Sequence, residues 1–167
     1  ANIFLEHLLQ GNPTCAAFFH RLRAGELHAV TSVAVLAEVR HRLLLTELIR
    51  RGHARQGLRA LEVLRRRPEL LRDLGACDTM LTTLLELPLR VVSLTLAQFR
   101  AAQRLSARCG LLTNDALHIA TLRAHGLRHL ASADRDFLRV PRLTKDSVVG
   151  AVVRGGVRSS AGAPVTA

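Results

Sequence analysis

Apolar residues recur along most of this chain at the spacing of a helix, and at three places they bunch into runs too short to be one. Asn2 to Gln10 and Thr14 to Arg23 carry the helical spacing and are parted by Gly11, Asn12 and Pro13, which predicts two helices joined by a turn. His28 to Ser32 is a short β-leaning segment. From Val33 to about Arg51 a helical stripe of Val35, Leu36, Val39, Leu43 and Leu44 continues until Gly52. Leu58 to Leu74 and Thr79 to Leu87 predict two further helices, and Leu89 to Leu94 a second strand. Thr95 then serves as an N-cap for a helix over Leu96 to Arg108, which Gly110 closes. Thr113 is placed to cap another helix that runs to His125 and stops at Gly126. Leu127 to Ala131 reads as a third strand, and Phe137 to Leu143 as an edge strand broken by Pro141. Helices alternating with short apolar strands predict an α/β class with a mainly parallel sheet. From Thr144 the composition shifts to Gly, Ser, Ala, Val and Pro, which predicts one domain over 1–143 and a flexible tail over 144–167.

Composition narrows this picture. A length of 167 residues suits one domain with a sizeable core, and a hydrophobic share of 49% is that of a globular chain. No apolar run is long enough to span a membrane, and ANIFLEHLLQ lacks the basic start of a secretion signal, so the expected location is cytoplasmic. Cys15, Cys77 and Cys109 are odd in number and far apart, as reduced thiols would be. His125 and His129 have zinc-like spacing, but Gly126 lies between them where the helix should end, which argues against a zinc pair.

Charge changes more. The net charge of +11 favours a polyanionic partner, nucleic acid being the commonest. Arginine outnumbers lysine by 23 to 1, a bias that a GC-rich coding sequence also produces. Even so, Arg50 to Arg72 holds eight arginines against Glu62 and Glu69, which makes a positive surface if that stretch is helical. With no Trp, no Tyr and five Phe, base stacking has few side chains to work with, so contacts to the nucleic-acid backbone would dominate.

Against that basic background, three acids in apolar surroundings need a reason. Glu38 interrupts Val33-Ala34-Val35-Leu36-Ala37, where a carboxylate is costly unless a cation is supplied. Its local explanation is an ion pair with Arg42 one turn on, worth a few tenths of a kcal/mol at a surface, about 0.2–0.5 kcal/mol. Asp115 sits in the first turn of a helix, where the dipole favours it. Asp134 follows a strand, at the edge where open α/β sheets place ligands, although a turn or cap role would also explain it; Asp136 is the better placed of the two for the structural role. Taken together, the three offer the hard oxygen ligands that Mg²⁺ or Mn²⁺ prefers.

The series ANIFLE, TSVAVLAEV and TNDALHIATLRAHGLRHLASADRDF resembles the PIN domain, and within it the VapC-type toxins of toxin–antitoxin pairs. The similarity spans about residues 1–143. D-A-L-H-x-A, a Gly, a short strand and S-x-D-x-D-F form its specific part. The resemblance implies a three-layer fold with a short, mainly parallel sheet between helices. It also implies a toxin-type endoribonuclease that hydrolyses RNA with acid-bound Mg²⁺ or Mn²⁺, a cognate antitoxin partner, and a homodimer. Glu38, Asp115 and Asp134 take the places of the family's second, third and fourth acids, with Asn2, Ser32 and Asp136 in supporting roles. The family's first acid, the Asp of a D-x-N sequence, would fall just before Ala1. So would the first central strand that leads into it, which implies a longer parent chain. Two other readings stay open: a PIN-fold protein that binds RNA or a protein partner with impaired catalysis because that Asp is absent, and a basic interaction protein in which each acid serves only its local structure.

Overall fold

The computed structural model describes residues 1–146 of the chain. Most of the tail expected from Thr144, namely 147–167, lies outside the described residues. Elements follow in the order α1 (Asn2–Leu5), which continues as a π-helical turn through Gln10, α2 (Pro13–Arg23), β1 (Ala29–Ser32), α3 (Val33–Arg50), α4 (Gly57–Arg66), α5 (Ala76–Leu85), β2 (Leu89–Val92), α6 (Leu96–Cys109), α7 (Thr113–Ala124), β3 (His129–Ala131) and β4 (Thr144–Asp146). β1 pairs in parallel with β2, Ala29 opposite Leu89 and Ser32 opposite Val92. β3 pairs in parallel with β4, His129 opposite Thr144. The class is therefore α/β, with short parallel strands flanked by helices, as the alternation predicts.

Local chemistry sets most of the boundaries. Asn12 accepts hydrogen bonds from the backbone N–H groups of Thr14 and Cys15, and Pro13 fills the first position of α2, where its missing N–H costs nothing. Thr95 and Gln98 exchange hydrogen bonds in a full capping box at the start of α6. Gly110, at φ 62°, turns the chain out of that helix in the left-handed conformation that glycine adopts without strain.

Four boundaries depart from the sequence reading. The helix expected over Leu58 to Leu74 breaks at Arg66, because Pro68 forces Arg67 out of the helical region (φ −133°, ψ 68°); a 3-10 turn over Pro68–Arg72 follows. Thr113 is the first residue of α7 and not its cap; Leu112 holds that position with no side-chain cap. The third strand starts at His129 because Leu127 is used to close α7, its N–H donating to the Leu122 carbonyl around Gly126. Finally, the edge strand expected over Phe137 to Leu143 is a 3-10 turn at Arg135–Arg139, and the strand comes later, as β4. Phe137 and Val140 are three apart and both buried, a spacing that suits a turn of three residues and not a pleat of two.

Three apolar clusters hold these elements. Phe18, Phe19 and Leu22 of α2 pack with Ile3, Leu84 and Leu87. Val39, Leu43, Leu44 and Leu48 bind α3 to α4 and α5. Ala116, Ile119 and Ala120 of α7 meet Ala102 and Leu105 of α6 over Phe137 and Val140. A polar tie crosses the second cluster. The buried Glu47 carboxylate accepts from Arg51 at 2.6 Å and from the backbone N–H of Cys77 at 3.0 Å, capping α5 from another helix.

Candidate functional site

The three acids singled out in the sequence come from three different elements, and their local fold explains how they come to line one cavity. Ser32 ends β1 and accepts from the Val35 N–H at 3.3 Å, which starts α3 and sends Glu38 into a space between β1 and β3. Asp115 enters the same space from the first turn of α7. Asp134 reaches it from beyond β3, in a turn set by Ser132, whose hydroxyl accepts from the Asp134 N–H at 3.1 Å. Glu38, Asp115 and Asp134, together with Asn2 and Ser32, all line one cavity of about 260 Å³.

Asp136 does not line the cavity. Its carboxylate takes Arg139 at 2.8 Å, and Arg139 also donates to the Gly110 carbonyl at 2.9 Å, tying the turn to the end of α6. The cap expected of Asp136 falls instead to Asp134, whose Oδ1 accepts from the Asp136 N–H at 2.9 Å. Asp134 thus serves the turn with one carboxylate oxygen and also lines the cavity. The ion pair expected between Glu38 and Arg42 is long, at 3.8 Å, with a side chain 30% exposed, so it contributes little to folding.

Electrostatics mark the cavity as acidic. Burial, followed by the charges of Asp134, Asp136 and Glu38, raises the Asp115 pKa above the ordinary carboxylate value. Crowded carboxylates with this little compensation favour the arrival of a cation. His118 follows Asp115 by three residues on α7 and sits 3.9 Å from Glu38. Burial is the main cause that pushes its pKa down to about 4, so the imidazole is neutral at pH 7. Thr121, six residues after Asp115, lines the cavity with a hydroxyl that is the buried side-chain oxygen left without a partner among the described residues.

His118, Thr121 and Ser132 were not singled out from the sequence as site residues. His118 lies within one helical turn of Asp115 and Ser132 belongs to the S-x-D turn, whereas nothing local marks Thr121.

The donor chemistry fits a hard divalent ion: carboxylate oxygens from three elements, mutual repulsion, and an unsatisfied hydroxyl in the lining of the same cavity. Among the described residues, however, no three His, Cys, Asp or Glu side chains are drawn together tightly enough to hold one ion as they stand. The acids share a cavity without yet closing on a point.

The family model of the PIN domain matches residues 1–143. No curated protein and no solved structure matches the chain. No helix among the described residues is long and apolar enough to cross a membrane.

Proposed function

Since the chain belongs to the PIN domain family, whose members generally act as nucleases on RNA or DNA with divalent metal ions, we propose that it is an endoribonuclease of the toxin type. The observation that carries this reading is that Glu38, Asp115 and Asp134 line one cavity in a chain of net charge +11. Glu38, Asp115 and Asp134 would hold Mg²⁺ or Mn²⁺. Bound there, such an ion lowers the pKa of a water and offsets the charge that develops on a phosphodiester.

The chain's own residues do the rest. Arg42, exposed at the cavity mouth, attracts the phosphate of the substrate. His118, neutral and half-buried 3.9 Å from Glu38, limits where that carboxylate can swing without adding a competing charge. Ser32 and Ser132 fix the backbone from which Glu38 and Asp134 project. Asn2 lines the cavity beside them. A toxin-type reading adds a cognate antitoxin, a homodimer and a cytoplasmic site of action. Its support is the D-A-L-H-x-A and S-x-D-x-D-F pattern at 115–120 and 132–137.

A second reading, a PIN-fold protein that binds RNA or a protein partner without cutting it, draws on the open spacing of the acids. Incubation of single-stranded and structured RNA with the full chain separates the two. Cleavage is expected with Mn²⁺ or Mg²⁺ and none in excess chelator; intact RNA under every ion would favour the second reading.

A further inference from the structure

We propose that single-stranded RNA runs from the acidic cavity along a groove between α1 and α3 and is gripped at the far end by the arginines around α4. This rests on the ribonuclease reading of the cavity and adds the path of its substrate. A second depression, about 380 Å³, is lined by Asn2, Leu9, Arg42, Thr46, Ile49 and Gly57, among others. Asn2 and Arg42 also line the acidic cavity, so the two spaces adjoin at those residues. From Glu38 through Arg42 and Thr46 to Ile49 the floor follows one side of α3, a length of about 16 Å at the rise of a helix.

At the outer end of that floor the charge changes sign. Arg50 closes α3, and Arg55, Arg59 and Arg65 follow before and along α4, all exposed. None of these four has a carboxylate partner among the described residues, whereas Glu62 and Glu69 are already engaged by Arg66 and Arg67. Glu6 lines the groove too, but its carboxylate is turned to Asn12 at 3.1 Å and Cys15 at 3.4 Å. Guanidinium groups fork onto phosphate oxygens, and a chain this poor in aromatics grips a backbone better than it stacks bases. An acidic protein segment would meet the same arginines, but it has no phosphate to set in the cavity where the groove begins.

The test is binding of a labelled poly(U) strand to the full chain by fluorescence anisotropy, in chelator so that nothing is cut, across a range of NaCl. Single-strand binding loses about 0.7 in the slope of log K against log salt for each phosphate contact removed. The triple variant Arg55→Ala, Arg59→Ala, Arg65→Ala is expected to flatten the slope by about 2 and to weaken every RNA sequence alike. The corresponding triple lysine variant should keep the slope, and Arg59→Ala or Arg65→Ala alone should each remove about 0.7. An unchanged slope in the alanine variants would overturn the proposal, as would lost binding of polyglutamate with RNA binding intact. A flattened slope in a chain that no ion renders active would uphold this surface and sink only the cleavage reading.

Discussion

Asp115→Asn is expected to slow RNA cleavage by roughly 10³-fold while leaving the melting temperature no lower than that of the parent. The two effects have one cause. Asp115 is the acid whose pKa the cavity raises, by burial first and then by Asp134, Asp136 and Glu38. A carboxyl whose folded pKa exceeds its unfolded value costs stability at neutral pH, because its charged form is disfavoured in the native state. The neutral amide removes that cost and keeps the shape. It also removes an anionic oxygen from the set that would hold the cation, and losing one preorganised electrostatic partner of a transition state typically costs about 10²–10³-fold or more in rate. Cleavage rates and calorimetric melts on both proteins check this. Near-normal cleavage would remove Asp115 from the chemistry; a sharp fall in melting temperature would mean that its role is structural.

Phe19→Ala should have the largest effect on folding. Its ring is 1% exposed and is surrounded by Phe18 edge-on at 4.9 Å, His7 at 4.2 Å and Phe4 at 5.7 Å. Truncating such a ring loses its transfer free energy and leaves a cavity, about 3–5 kcal/mol together. Against a typical total of about 5–15 kcal/mol that is roughly a fifth or more of the stability. Denaturant titration checks the figure, with Phe99→Ala as the reference because that ring is 42% exposed. If Phe19→Ala cost no more than Phe99→Ala, the packing of α2 against α1 would be wrong. Phe19 also lines the acidic cavity, so its loss should loosen that wall.

What the sequence made legible follows from how far apart the interacting groups are. Thr95 could be recognised as a cap because the groups it serves lie within one turn, and Gln98 completes the box. Strand positions at Ala29, Leu89 and His129 showed as short apolar runs between helical ones. Pro68 carried enough information to end α4 at Arg66, but apolar spacing beyond it suggested continuity. By contrast, nothing local announces that Glu47 caps α5 through Cys77, thirty positions away, or that Arg40 pairs with Asp78 at 2.8 Å. At the site the acids stood out because they were anomalous in apolar or strand-end settings. His118 and Thr121 were hidden by being ordinary, a histidine and a threonine on a helix that is largely buried. Asp134 was read as having one duty and has two, since the turn that aims it is held by its own side chain.

The most direct test is a calorimetric titration of the full chain with Mn²⁺, beside the variant that combines Glu38→Gln with Asp115→Asn. A shared cation site in the cavity predicts saturable binding and a raised melting temperature in the parent, both lost in the variant. Equal heats for the two proteins, or no saturable binding to the parent, would contradict it.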